Sequence, residues 1–239
     1  MTGGVLVGGF VSQCWYGVIK DCYSKGNVIA EQDGAGFIAR HEGGKISKCY
    51  SLGNVTTTGY IGNEENRRGR AGGFVSHHDG GDIENCYCKG DVRGTSLPSI
   101  GNQSRAQVGG FVGLKGSSGY MKNCYCIGAV SGIATLKGGF AGEVLDYPGI
   151  PLPEACYYYM PPNNQIGIQV SEQEMKEKST FSGWDFSSIW AISQSVNEGF
   201  PYFGKMNKGL YVKFNNELKG ASGYVKKNGE LLPVSFVRG

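Results

Sequence analysis

Apolar positions along this chain do not recur every second residue, nor every third or fourth. They come as short pairs and singles at fixed offsets from a glycine doublet. Five units open Gly-Gly-Phe or Ala-Gly-Phe, with Phe10, Phe37, Phe74, Phe111 and Phe140 in the third place. Four continue with Ile19, Ile46, Ile83 or Met121, each followed three residues later by Cys22, Cys49, Cys86 or Cys124, and the fifth reaches Cys156. Gly26-Asn27-Val28, Gly53-Asn54-Val55, Gly90-Asp91-Val92 and Gly128-Ala129-Val130 come next. The Phe-to-Cys interval is 12, 12, 12, 13 and 16 residues, whereas the Phe-to-Phe interval is 27, 37, 37 and 29. A nearly constant inner spacing with a variable outer one predicts a stacked rung whose connecting loop is free to lengthen. Three apolar stretches per unit, punctuated by Gly, Asn and Asp, predict three short strands joined by turns, one coil of a parallel β-helix. Phe then stacks on Phe, Ile on Ile and Cys on Cys.

Helical periodicity is absent until residue 171. There Ser171-Glu172-Gln173-Glu174 reads as a capping box opening a short helix over about 171–178. The aromatic residues that follow, Phe181, Trp184, Phe186, Trp190 and Tyr202, suit a plug over the apolar cross-section and unpaired strand of a last coil. In the tail, Tyr211-Val212-Lys213 and Glu217-Leu218 recur 13 residues later as Tyr224-Val225-Lys226 and Glu230-Leu231, around Asn-Asn and Asn-Gly, which predicts two β-hairpins. The organisation expected is an all-β chain: a β-solenoid of about five coils over 1–160, an aromatic cap over 161–204 and a β-hairpin module over 205–239.

Composition narrows the function classes. Glycine contributes 41 of 239 residues, as a chain of corners requires, and the net charge of +3 gives no support to nucleic-acid binding. No apolar run reaches the roughly 18 residues of a membrane span, so no membrane insertion is expected. Five of the eight cysteines occupy one rung position, which predicts an interior column of free thiols rather than a disulfide scaffold. No signal peptide precedes the first unit, and residues 1–7 begin in mid-coil. The expectation is that further solenoid coils or another chain covers that end, with a homo-oligomer as one form of this.

The five Gly-Gly-Phe…Ile-x-x-Cys-Tyr…Gly-x-Val units resemble the GLUG repeat of bacterial surface proteins, and the segment from Ser171 to Phe203 is similar to the close of such arrays. The hairpin tail is similar to repeats in phage structural proteins and Gram-positive surface proteins. The resemblance implies a right-handed β-helix, an extracellular, cell-surface or virion location, and an adhesin-like role without a catalytic residue.

Candidate chemistry lies off the rungs. Two enlarged loops, 56–72 and 93–109, leave the same corner of adjacent coils and echo one another as Ile61-Gly62-Asn63 and Ile100-Gly101-Asn102. Long loops on a rigid scaffold carry binding. Tyr60, Asn63, Asn66, Arg67, Arg68, Arg70, Asn102, Gln103 and Arg105 are residue types that stack on and hydrogen-bond to sugars or carboxylates. The leading expectation is a non-enzymatic protein binding host surface glycan or protein through these loops. A polysaccharide hydrolase or lyase is the alternative, with Glu42, Asp79 and Asp82 as its only defensible carboxylate cluster; an inert spacer is the third. The position four past each Phe gives Cys14, His41, His78, Lys115 and Val144. Its first three members are a chemically possible metal column, but ligands in a straight ladder seldom converge, so neither metal nor cofactor is expected.

Overall fold

Four parallel sheets wrap around a common interior, because the chain returns to the same four directions once per coil. The computed structural model describes residues 4–59, 69–95, 106–134, 136–145, 148–162 and 166–204, together with four strands between 211 and 233. The first sheet orders Leu6–Gly8, Asp33–Ala35, Arg70–Gly72, Gln107–Gly109 and Leu136–Gly138. The second stacks Val11–Cys14, Ile38–Ser47, Val75–Glu84, Val112–Lys115 and Ala141–Val144, with Val18–Lys20 and Tyr120–Lys122 joining its longer strands. Tyr23–Ser24, Tyr50–Ser51, Tyr87–Cys88, Tyr125–Cys126 and Tyr157–Tyr158 make the third, closed by Ile168–Gln169. Val28–Ala30, Val55–Thr57, Val92–Gly94 and Val130–Ser131 make the fourth. The chain is thus an all-β parallel β-helix of about five coils.

Each coil has four strand directions where the apolar pattern predicts three. The additional strand ends in the first residue of the Gly-Gly or Ala-Gly doublet and reads Asp-Gly-Ala, Arg-Ala-Gly or Gln-Val-Gly, with a single interior residue such as Ala71 or Val108. One small apolar residue between polar or glycine neighbours leaves no period to read. The doublet is fixed by close approach. A Cβ on Gly73 would lie 2.1 Å from the Gly110 carbonyl oxygen and 2.8 Å from Cys88 Sγ, so no side chain fits where neighbouring coils bend together.

Stacking follows the rungs. The phenylalanine rings repeat at 4.8–5.0 Å within 12° of parallel, the spacing of hydrogen-bonded strands. Tyr23, Tyr50, Tyr87 and Tyr125 form a second ladder at 4.9–5.1 Å. Cys22, Cys49, Cys86, Cys124 and Cys156 each donate Sγ–H to the carbonyl two residues earlier. All eight cysteines are free, and burial pushes the thiols of Cys86, Cys124 and Cys156 up, so they pack as small apolar groups. Asn27, Asn54 and Asp91 form an outer ladder in which each Oδ1 accepts the next coil's backbone N–H at 2.8–2.9 Å.

The corner before each ladder cysteine is left-handed: Asp21, Lys48, Asn85, Asn123 and Ala155 have φ of 47–55°. Such backbone costs an ordinary L-residue about 1–2 kcal/mol, and Asn adopts it more readily. Lys48→Asn is therefore expected to stabilise the chain by about 1 kcal/mol, read as a raised urea midpoint at unchanged m-value; an unchanged or lowered midpoint refutes the assignment of strain.

The aromatic segment does not plug the final coil. Ile166 packs on the core, Gly167 lies against the Phe140 ring, and Ile168–Gln169 pairs with Tyr157–Tyr158, so residues 166–169 close that end. The segment after it turns back along the flank and covers the tyrosine ladder. Phe181 and Trp184 meet Tyr157, Trp184 and Trp190 meet Tyr125, and Trp190 and Phe203 meet Tyr87. Trp184 Nε1–H donates to Ala155 O and Trp190 Nε1–H to Asn85 Oδ1, both at 3.1 Å. The Ser171–Glu174 capping box forms reciprocally at 2.7 and 3.2 Å. The helix it announces is two 3₁₀ turns, Glu174–Lys176 and Lys178–Thr180, because the chain must bend onto the flank.

The first coil differs from the others. Phe10, Trp15, Tyr16, Val18, Tyr23 and Ile29 are all exposed. A second unit, Lys205–Gly239, contains two antiparallel hairpins, Tyr211–Phe214 with Glu217–Gly220 and Tyr224–Lys227 with Glu230–Pro233.

Candidate functional site

The two long loops share one foundation. Both leave the fourth sheet, where Val55–Thr57 pairs in register with Val92–Gly94, and both re-enter the first, where Arg70–Gly72 pairs with Gln107–Gly109. Their ends therefore lie one rung apart at departure and at return. Tyr60, Asn63, Asn66, Arg67, Arg68, Asn102, Gln103 and Arg105 fall outside the described residues.

Arg70, assigned from its loop position to the binding set, sits at the base and is buried. Its Nη1 lies 3.2 Å from Asp33 Oδ2 and its Nε 3.1 Å from Gln107 Oε1. Arg40 also bonds Asp33 Oδ2, at 3.1 Å, and the Gln107 amide donates to Glu143. Asp33, Arg70 and Gln107 face one another across the register of the first sheet. Burial holds the Asp33 carboxyl above the usual carboxylate range against the pull of Arg70 and Arg40. This network ties coils two to five together where the loops begin, and Arg70 is a structural member of it.

The column four past each Phe exists in the register expected, Cys14 beside His41, His41 beside His78 and His78 beside Lys115. His41 and His78 are fully buried, stacked 8° from parallel, with Nδ1 to Nδ1 at 3.1 Å. That contact needs one proton between two neutral imidazoles. Burial lowers His41 to about 4 and His78 well below its ordinary value. Lys115, between His78 and Val144 in the column, places its ammonium on the carbonyls of Gly116 and Ser118, and burial lowers it to about 8. Stacked ring planes do not converge on one point, and among the described residues no group of three or more His, Cys, Asp or Glu side chains could hold a metal ion.

The carboxylates considered for catalysis are placed on the second sheet. Asp79 accepts the Ser117 N–H at 3.0 Å and its backbone carbonyl accepts the Ser118 hydroxyl, so it anchors the turn of the next coil. Glu42 accepts the Gln13 amide at 3.2 Å. Asp82 stands on the same strand beyond the Gly80–Gly81 bend, opposite Lys45 and Tyr120.

One feature had no sequence signal. The returning segment and the flank of the coils enclose an open cleft of about 440 Å³, lined by Leu52, Asn54, Lys89, Asp91, Ile127, Tyr159 and Glu198 among others. Its walls come from residues up to 146 positions apart (Leu52 to Glu198), and only the path of the aromatic segment brings them together.

The GLUG motif family matches residues 68–93, the third coil with its Gly72-Gly73-Phe74 and Ile83-x-x-Cys86-Tyr87, so the chain carries the GLUG motif. No curated protein and no solved structure matches the chain.

Proposed function

We propose that this GLUG-motif β-helix is a non-enzymatic, surface- or virion-associated protein that binds host glycan or protein through loops 56–72 and 93–109. The observation that supports it is the shared foundation: two long loops rooted one rung apart on registered strands over a buried ion-pair network. A rigid base presenting adjacent variable loops is how binding surfaces are built on repeat scaffolds. In the same reading, the exposed apolar face of the first coil takes further coils or another chain, since an open edge of this kind pairs readily. An extracellular location belongs to the proposal; among the described residues no helix is long and apolar enough to cross a membrane.

The test is a glycan-array and immobilised cell-wall binding screen of the intact chain beside a variant with 61–68 and 97–104 replaced by short Gly-Ser linkers. Both replacements stop short of Arg70 and Gln107, so the network survives and the fold is expected to be retained. Binding that disappears in the shortened variant, with an unchanged circular dichroism melt, is the expected result. Undiminished binding overturns the assignment to the loops and moves it to another surface; no binding by the intact folded chain leaves the solenoid a spacer.

A further inference from the structure

The cleft on the flank has the chemistry of a ligand site separate from the loops. Leu52, Lys89, Ile127 and Tyr159 each follow the two-residue strand of the third sheet, one per coil, so they form a column spaced by about 4.8 Å. Asn54 and Asp91 of the outer ladder stand beside that column, and Glu198 of the returning segment forms the facing wall. The wall is held in place: Lys89 Nζ bonds Asn197 Oδ1 at 3.0 Å and Glu198 Oε1 at 2.8 Å. Asn197 Nδ2 in turn donates to the Tyr125 hydroxyl at 3.0 Å. Asn197, Glu198 and Gly199 all have positive φ, 52°, 58° and 88°, a conformation that persists only where its surroundings fix it.

These walls select by charge and polarity. Lys89 is matched by Glu198, so Asp91 leaves the cleft with a net negative charge, which disfavours anionic ligands. Leu52 and Ile127 provide an apolar floor, and Tyr159, stacked on Phe200 at 6.0 Å, provides an aromatic surface. The volume of about 440 Å³ falls within the range of small-ligand sites. Polar groups that accept hydroxyl protons, beside an aromatic ring and an apolar floor, fit a pyranose. A column with one residue per rung fits a linear chain of them, whose repeat is close to the rung spacing.

We propose that this cleft binds a neutral linear oligosaccharide lying along the stack of coils. The proposal does not rest on the paired loops, and the experiment separates the two. The full-length chain is titrated by calorimetry with cellohexaose, hexa-N-acetylchitohexaose and mannohexaose, and with trigalacturonate as the charged comparison. Saturable binding of at least one neutral hexasaccharide is expected, with none of trigalacturonate. Tyr159→Ala should weaken it about tenfold, equivalent to about 1.4 kcal/mol. Glu198→Gln, at an exposed position and with an oxygen still able to accept from Lys89, should weaken it without disturbing the fold. The loop-shortened variant should bind the sugar as the parent does. The proposal is overturned if none of the three neutral sugars binds, if trigalacturonate binds more tightly, or if both point variants bind as the parent does. Loss of binding on loop shortening overturns it too, by placing the sugar on the loops.

Discussion

Phe74→Ala should lower the unfolding free energy by about 3–5 kcal/mol, the largest effect expected of a single ring in the array. Phe74 is fully buried between Phe37 and Phe111, with centroids 4.8 and 5.0 Å away. Removing it forfeits two ring–ring contacts and leaves a void that cannot close. Strand register fixes the coils above and below, and Gly73 already sits at the limit of backbone approach. Phe10 provides the internal comparison, since among the described residues it stacks on Phe37 alone, and it is 39% exposed. Phe10→Ala should therefore cost less than half as much. Urea denaturation followed by circular dichroism reads both; equal losses would show that the ladder is not what holds the middle coils.

Acid should destabilise the fold through the histidine column before the carboxylates held below their usual range contribute. Asp33 works against this, because burial holds its carboxyl above that range and it takes up its proton more readily folded than unfolded. Unfolded histidine titrates near 6.5, whereas burial lowers His41 to about 4 and His78 further. The folded state thus binds fewer protons than the unfolded one, so stability is fully present above pH 6.5 and is lost as pH falls from there toward 4. For His41 alone the gap between about 6.5 and about 4 amounts to about 3 kcal/mol. His77, which faces Arg70, Asp79, Arg40 and Lys115, is also lowered to about 4 by burial and adds to the slope. Lys115 does not contribute in this window, because its loss of stability runs from its unfolded range near 10.4 down to about 8 and is nearly complete at neutral pH. Glu154 and Glu174, held below the usual range by Lys122 and Ser171, lose their contribution at lower pH. Melting temperatures between pH 7 and 4.5 check this. A steady fall is expected, shallower in His41→Gln, and a flat profile in the parent would sink it.

The rungs were legible in the sequence because each repeats a side chain that must meet its own copy. Phe37, Ile46 and Cys49 announce a register that the structure keeps, and the column from Cys14 to Lys115 could be placed by counting. The fourth strand direction was not legible, since Asp33-Gly34-Ala35 and Arg70-Ala71-Gly72 each turn one small residue inward and owe their strand to neighbours already in place. Trp184 and Trp190 were recognised as a cover, but which surface they cover depends on the tyrosines of the third sheet, which read equally well as solvated. Arg70 shows the limit for the candidate site: its partner Asp33 lies 37 residues away, and no local pattern distinguishes it from Arg68. The cleft depends on the same long-range fold-back, so nothing in its separate segments announces it.

That fold-back also limits how such an array can lengthen. From Phe181 against the fifth coil to Phe203 against the second, the returning segment works as a ruler of fixed length, with its tryptophans keyed to Asn85 and Ala155. A coil inserted between the second and fifth would move those keys apart by one rung and strand the segment out of step. A coil added before the first would disturb none of them. Growth is therefore accommodated on one side only, and the loops and cleft on the measured coils are carried along unchanged as the array extends.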